Sequence, residues 1–278
     1  MLLYNKRKEC KLMTELILPE GASFIFGNSK SHGDGMFSHH HHERFEIYYM
    51  VSGKCHFFIN DRAYDVLPGD VVFIPERVIH KTNYGSEEHS RMLIECTHHF
   101  IPEEARAELA DMVYLYRNAS ATGEIYAMLQ KIEQEYKNPD AYSFDAIRSY
   151  IHLIIYSMIR NKNSVSILSR GNAMIEDVVG YIKENFSSEV TLLEVAKKYF
   201  VSAEHLSRTF RRQTGFGFNE FLTLVRLQHA EYMLKNRDGR SISEIAYSCG
   251  FNDSNYFSDK FKRSYGKSPL QYSKEFDT

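Results

Sequence analysis

The chain of 278 residues lacks three things that often place a protein at a glance: a charge excess, a patterned set of cysteines and a long apolar run. Its 34 Lys and Arg are balanced by 36 Asp and Glu, for a formal net charge of −2. Bulk basicity, the usual footprint of phosphate binding, is missing, so any nucleic-acid contact has to come from uneven placement of the cations. The 4 cysteines, Cys10, Cys55, Cys96 and Cys249, show no CxxC spacing. That speaks against a disulfide framework or a zinc knuckle and suits reduced thiols in the cytosol. The most apolar stretch, Ile151 to Ile159, is broken by His152 and Ser157. It falls short of the roughly 18 residues that cross a membrane. The start, MLLYNKRKEC, is too short for a secretory h-region. A soluble, cytoplasmic protein without membrane contact is expected. A 43% share of hydrophobic residues over this length supports roughly two domains, each with its own core, and rules out disorder, collagen and a disulfide mini-protein.

Residues from about 20 to 100 read as strands. The runs FEIYYMV, KCHFFI, DVVFIP and RMLIEC are separated by the turn clusters SG, ND and PGD, with no helical pattern between them. Such a series indicates an all-β barrel or sandwich. After Pro102 the period changes. EEARAELADMVYLYR, GEIYAMLQKIEQEYK and YSFDAIRSYIHLIIYSMIRNK carry apolar residues at three- and four-residue steps and predict amphipathic helices. The third is apolar on more than one face, through Ile147, Tyr150, Ile151, Ile154, Ile155, Met158 and Ile159. It is either buried against its own domain or shared with a second subunit, and the pattern leaves the two open. NKNSVSILSRG, residues 161–171, is the expected interdomain linker.

From Asn172 onward the chain is helical and repeats itself. Thr191-x-x-Glu194 opens the apolar set Leu192, Val195, Ala196, Tyr199; fifty residues later Ser241-x-x-Glu244 opens Ile242, Ile245, Ala246, Cys249. Both fit the capping box, in which a hydroxyl and a glutamate satisfy orphan N–H groups at a helix start. At an offset of 51 the match continues: Ser202 with Asp253, Leu206 with Phe257, Phe210 with Phe261, Gly215 with Gly266, Phe221 with Tyr272. One residue has been added in the turn of the second copy. Each copy has the outline of a helix-turn-helix.

In the second helix of each copy, Leu206 and Phe210, or Phe257 and Phe261, face the core. The opposite face carries Glu204, Ser207, Arg208 and Arg211 in the first copy, with Arg212 beside them. In the second it carries Asn255, Ser258, Asp259 and Lys262, with Ser254 at the helix start. Arg, Asn and Ser have the donors and acceptors that read base edges, whereas Lys mostly neutralises phosphate. Glu204 and Asp259 interrupt the basic faces, either accepting from a cytosine amino group or pairing with a neighbouring cation. His205 to Asn219 contains three cations and no acid, and Lys260 to Lys274 five cations and no acid. Phe218 to Asn236 reads as one joining helix. Its nineteen residues span roughly 28 Å, near the one-turn repeat of about 34 Å between major grooves on one face of B-DNA.

ISEIAYSCGFNDSNYFSDKFKRSYGKSPLQY resembles the AraC/XylS family signature, IxxIAxxxGFxxxxxFxxxFKxxxGxSPxxY, and RLQHAEYML resembles that family's linker helix. The resemblance covers about the last hundred residues and departs slightly in the first copy, at Phe200 and Phe218. It implies a transcription regulator with two helix-turn-helix units on double-stranded promoter DNA, usually an activator that contacts RNA polymerase.

HHHHERFEIYYMVSG and GDVVFIPERVIH resemble the two cupin motifs, through His40, His42, Glu46 and Gly53, then Gly69, Pro75 and His80, with Arg77 where the second motif has glycine. Metal-dependent cupins hold one ion with such a set, and either His39 with His41 or His40 with His42 would share a strand face. The favoured expectation is no cofactor or metal. Instead, His40, His42, Glu46, Tyr48 and His80 would bind a small polar effector, with Phe37, Phe45 and Phe58 as further stacking surface. Family members with this layout often sense carbohydrates, which makes a sugar the implied effector.

The expected fold is α+β multidomain: an N-terminal cupin-like β-barrel for effector binding (residues 1–101), a helical dimerisation segment (102–160), the linker (161–171) and a C-terminal all-α double helix-turn-helix (172–278). The expected function is that of a homodimeric, effector-controlled transcription regulator and not an enzyme. The competing expectation is a metal-dependent cupin enzyme carrying a DNA-binding tail.

Overall fold

In a computed structural model, which describes residues 3–6, 14–17, 22–31, 44–60, 62–84, 88–110, 115–117, 123–160, 172–236 and 239–276, the β-branched and aromatic runs of the first half become ten strands. These are β1 (Leu3–Lys6), β2 (Thr14–Ile17), β3 (Ser23–Ser31), β4 (Phe45–Ser52), β5 (Cys55–Ile59), β6 (Arg62–Val66), β7 (Val71–Ile74), β8 (His80–Asn83), β9 (His89–Cys96) and β10 (Leu115–Tyr116). They form a seven-stranded sheet in the order β1-β2-β3-β9-β4-β7-β10 and a three-stranded sheet in the order β6-β5-β8. Every pairing is antiparallel. Among the described residues no ladder joins the two sheets, so the expected barrel takes the form of two sheets around a shared core. The turn clusters lie where they were expected. Gly53 (φ 82), Asn60 (φ 59) and Gly69 (φ 88) supply the left-handed residues of the SG, ND and PGD turns.

The central strands are buried on both faces, which explains why they read as unbroken apolar runs. On one face Phe24, Phe26, Ile47, Tyr49, Val71, Phe73, Met92 and Ile94 form a core with α2 (Glu124–Lys137) and α3 (Ser143–Arg160). On the other, Tyr48, Met50, Val72, Ile74 and Leu93 pack with Cys55, Phe57, Ile59, Tyr64 and Val66 of the smaller sheet. Helix α3 sends Ile147, Ile151, Ile154, Ile155 and Met158 into its own domain and leaves Leu153 exposed. No described helix is long and apolar enough to cross a membrane.

One helix departs from expectation. EEARAELADMVYLYR forms a 3-10 turn at Glu103–Ala105 and the short α1 (Arg106–Ala110), and then Leu115–Tyr116 joins the sheet as β10, opposite Val72 and Val71. Leu115 and Tyr116 meet the open edge of β7, and tertiary pairing outweighs a helical period carried by few residues.

The chain divides into two compact units, Met1–Arg170 and Gly171–Thr278. The second is built from α4 (Ala173–Asn185), α5 (Leu192–Lys198), α6 (Ala203–Thr214), α7 (Phe218–Asn236), α8 (Ile242–Ser248), α9 (Ser254–Tyr265) and α10 (Pro269–Lys274). Both capping boxes form, Thr191 with Glu194 and Ser241 with Glu244. Ser202 and Asp253 cap α6 and α9, which stop at Gly215 and Gly266, each at φ 76. A third box, Ser268 with Gln271 around Pro269, opens α10.

The turn between the two helices of each copy needs a left-handed residue. The second copy uses Gly250 (φ 82) and the first uses Phe200 (φ 56), which is 96% exposed. A Cβ on Gly250 would approach Phe186 O to 2.6 Å and Arg226 Nε to 3.0 Å, whereas one on Gly266 would meet nothing within 4 Å. Replacing Phe200 by Gly should therefore stabilise the chain by about 0.5–1 kcal/mol through relief of backbone strain. Gly250→Ala should cost clearly more than Gly266→Ala, where only the roughly 1 kcal/mol of conformational strain applies. Urea denaturation of the three variants checks the order.

Candidate nucleic-acid interface and effector pocket

Helix α6 buries Leu206, Thr209, Phe210 and Thr214, and α9 buries Phe257 and Phe261. These contacts fix which side of each helix is left outward. On α6 that side shows Glu204, Arg208, Arg211 and Arg212 exposed and Ser207 half-buried; on α9 it shows Asn255, Asp259 and Lys262 exposed and Ser254 and Ser258 half-buried. Glu204 Oε1 lies 4.0 Å from Arg208 Nη1 with both side chains largely exposed. Among the described residues Asp259 makes no ion pair, so the two acids differ in circumstance. Ser254 Oγ lies 3.1 Å from Ser243 Oγ and is occupied in joining α9 to α8.

Two exposed residues escaped the sequence reading, His205 and Tyr256. They occupy equivalent positions at the 51-residue offset, beside the outward faces; Tyr256 carries Lys260 Nζ over its ring at 5.2 Å. Periodicity assigns the side opposite the core but is silent about its flanks. The repeat offset, applied to every residue of the two helices, would have paired them.

The inter-sheet space holds the second set. Glu46 and His80 are both buried, with His80 Nε2 3.4 Å from Glu46 Oε2. Val78 O can only accept, so His80 Nδ1, 2.8 Å away, donates to it, and Nε2 is the nitrogen presented to the carboxylate. Tyr48 is fully buried, and its hydroxyl donates to Met50 Sδ at 3.3 Å; burial holds its ionisation well above the usual tyrosine range. His40, His42, His39, His41 and Phe37 lie outside the described residues. No group of three metal-liganding side chains occurs among the described residues. Phe45 is a correction: strand alternation turns it toward the helices, where its ring is 5.7 Å from Phe73. Phe58 likewise lies on the face of β5 opposite Phe57 and Ile59.

The pairing register brings in groups that the runs alone concealed. Glu46 stands opposite Glu95, and Met50 opposite Arg91, so Arg91 and Glu95 share the inner face with Tyr48. Arg44 Nη1 reaches Glu95 Oε2 at 3.4 Å. Arg77, where a glycine was expected, takes φ 65, so the backbone keeps the glycine conformation without the glycine.

Residues 25–148 match the family model of the AraC-like ligand binding domain and residues 195–275 that of a helix-turn-helix domain. The chain is 36% identical over 114 residues to the uncharacterized HTH-type transcriptional regulator YijO of Escherichia coli, a match covering 41% of this chain and 40% of that protein's length. It is 26% identical over 246 residues to the HTH-type transcriptional activator RhaS of Enterobacter sp., covering 84% of this chain and 87% of that one. The crystal structure of apo ToxT from Vibrio cholerae matches 90% of this chain and 96% of its own, at 16% identity and a TM-score of 0.42. A ligand-binding-type sheet domain in one chain with a double helix-turn-helix defines a DNA-binding transcription regulator rather than an enzyme. The chain belongs to the AraC/XylS family. The reading as a metal-dependent cupin enzyme finds no support among these relatives.

Cys55 and Cys96 of the first domain are buried and serve as packing groups. Burial pushes Cys55 up to about 12 and Cys96 higher still. Because the thiolate is the nucleophile, both should resist iodoacetamide at about pH 8 in the folded protein and react only after denaturation. Mass spectrometry of alkylated peptides checks this, and rapid labelling of native Cys55 would contradict the placement.

Proposed function

We propose that this regulator is an activator of transcription whose promoter binding is controlled by a small molecule held between the two sheets. Its parts are residues 1–101 as the effector domain, 102–160 as a helical segment through which two copies pair, 161–171 as linker and 172–278 as the DNA reader. The observation that carries the reading is the pair of capped helices α6 and α9. They present outward faces of the same polar and cationic kind and are joined by the 19-residue α7. On this reading Arg208, Asn255 and their neighbours reach base edges, and Arg211, Arg212 and Lys262 hold phosphate. RNA polymerase is the partner through which activation acts, and the cytoplasm is the compartment. The similarity to a transcriptional activator supports the sign of regulation. Glu46, Tyr48, His80, His40 and His42 are assigned to the effector, with a carbohydrate favoured by the family resemblance.

Arg208→Ala should weaken a specific operator by about 1–3 kcal/mol with the loss concentrated at one base position. Arg212→Ala should weaken all sequences about equally and lower the salt slope by about 1. Quantitative footprinting on operator variants at several salt concentrations separates the two; a uniform loss for Arg208→Ala would reassign it to phosphate. A thermal-shift screen of sugars and related metabolites, followed by footprinting, tests effector control. The expected result is a compound that raises the melting temperature and alters operator occupancy. Failure of every stabilising compound to alter occupancy would reject effector control.

A further inference from the structure

The half-buried guanidinium groups among the described residues are, with one exception, matched to acceptors. Arg44 faces Glu95 at 3.4 Å. Arg117 Nη1 donates to Asp70 Oδ2 at 2.7 Å and to Asp65 O at 2.8 Å. Arg226 donates to the carbonyls of Phe186 and Ser188 at 2.8 and 2.9 Å. Arg91 is the exception: among the described residues it makes no hydrogen bond and no ion pair. Its Cζ lies 5.7 Å from the Tyr48 ring centroid and 5.5 Å from that of Tyr84, so aromatic faces are its direct neighbours. Those neighbours are neutral, because burial holds Tyr48, Tyr84 and Cys55 protonated. Glu46 acts on Arg91 only through the field, and its carboxylate is turned to His80.

A guanidinium carries five donors, and leaving them unmatched away from water is costly. Two aromatic faces hold the cation but accept few of those hydrogens. The Tyr84 hydroxyl nearby is also buried and, although it lies beside the Tyr48 hydroxyl, makes no hydrogen bond of ordinary geometry. Tyr84 is kept in place by stacking on His89 at 3.8 Å and 8°. A preset cation and a preset hydroxyl donor thus meet in the same inner space.

We infer that the effector is an anion, and that Arg91, with the Tyr84 hydroxyl, binds its carboxylate or phosphate group. This rests on the proposal that the inter-sheet space is the effector site, and it narrows the favoured sugar to an acidic one, a sugar acid or a sugar phosphate. The planar fork of Arg91 matches two oxygens of either group. The other end of the site suits the rest of such a molecule. Glu46 is opposite Glu95 and Arg91 is opposite Met50, four residues along β4 from one another, roughly 13 Å of strand. Inward-reaching side chains shorten that span, leaving the Glu46 and His80 pair to meet hydroxyl groups and repel a second anionic group.

The test uses the full chain and its Arg91→Gln and Arg91→Lys variants, with melting temperature and calorimetry as readouts at constant ionic strength. The probes are glucuronate, gluconate, glucose 6-phosphate, inorganic phosphate and glucose. The expected result is that at least one anionic probe binds the native chain, that Arg91→Gln weakens it at least tenfold, and that Arg91→Lys, which keeps the charge but not the fork, falls between. Ligand-free Arg91→Gln should melt close to the native chain, because no hydrogen bond or ion pair is lost and only the contacts with the Tyr48 and Tyr84 rings are given up; a large drop would make Arg91 a structural group and overturn the inference. Binding of glucose alone, sensitive to Glu46→Gln but not to Arg91→Gln, would overturn the anion inference and leave the effector site standing. Anion binding that survives both substitutions would place the ligand elsewhere and overturn both readings.

Discussion

Arg226, near the middle of α7, is where the two halves of the DNA reader meet. Its Nε and Nη2 donate to the carbonyls of Phe186 and Ser188, in the turn that leads from α4 toward α5. Its guanidinium lies 5.9 Å from the Phe251 ring centroid, in the turn of the second copy. Burial works against the charge, and two carbonyl acceptors offset that cost. Gly250 is part of the same arrangement, because a side chain there would displace both Arg226 and the Phe186 carbonyl. Among the described residues the first copy has no comparable neighbour at its turn, and Phe200 stands exposed in the same backbone conformation. A duplicated motif has diverged where only one copy is pressed against its partner.

Around that contact, α7 serves two cores. Phe221 packs with Phe210 and Phe216 of the first copy, while Leu227, Ala230 and Leu234 enter the core of the second. Farther along, Glu231 is buried but accepts from Lys235 at 2.7 Å and from the Tyr272 hydroxyl at 2.8 Å, tying α10 to the same helix. Its apolar residues therefore fall on several sides. A continuous helix held from both ends fixes the separation of α6 and α9, so on the proposed reading the half-site spacing along DNA is a property of the protein.

Burial on two faces governs the first domain in another way. Each central strand gives alternate residues to the helices and to the inter-sheet core. Polar side chains among the inward residues are thereby removed from water and must be matched internally or by a ligand. The sequence runs make the strands and turns legible, since β-branched runs and left-handed turn residues are local signals. They leave the inner set half hidden, because which face Phe45 or Glu46 takes depends on register. Arg91 and Glu95 become visible only when β4 and β9 are paired. In the reader the situation is reversed. Caps, core positions and glycine stops are all local and repeated, so α5 to α9 were legible to within a residue or two, and the outward faces followed. What the pattern missed there, His205 and Tyr256, lies on flanks that periodicity does not define. The segment ending in β10 was misread because the edge of β7 belongs to the fold and not to that stretch of chain.

Charge closes the argument about specificity. From Asn172 onward 15 cations face 14 acids, so long-range attraction to a polyanion is weak and affinity has to come from matched short-range contacts. The Glu204 and Arg208 pair sharpens this. At 4.0 Å and largely exposed, such a pair is worth about 0.3–0.5 kcal/mol. That is small beside the roughly 1–3 kcal/mol of a good bidentate contact with guanine. It is comparable, however, with what Arg208 would gain from a solvated phosphate. On the proposed reading the correct base therefore displaces Glu204 easily and a wrong one does not. An acid on a reading helix, which at first counts against DNA binding, thus takes only a small share of what Arg208 gains at the operator and most of what it gains at a non-specific site.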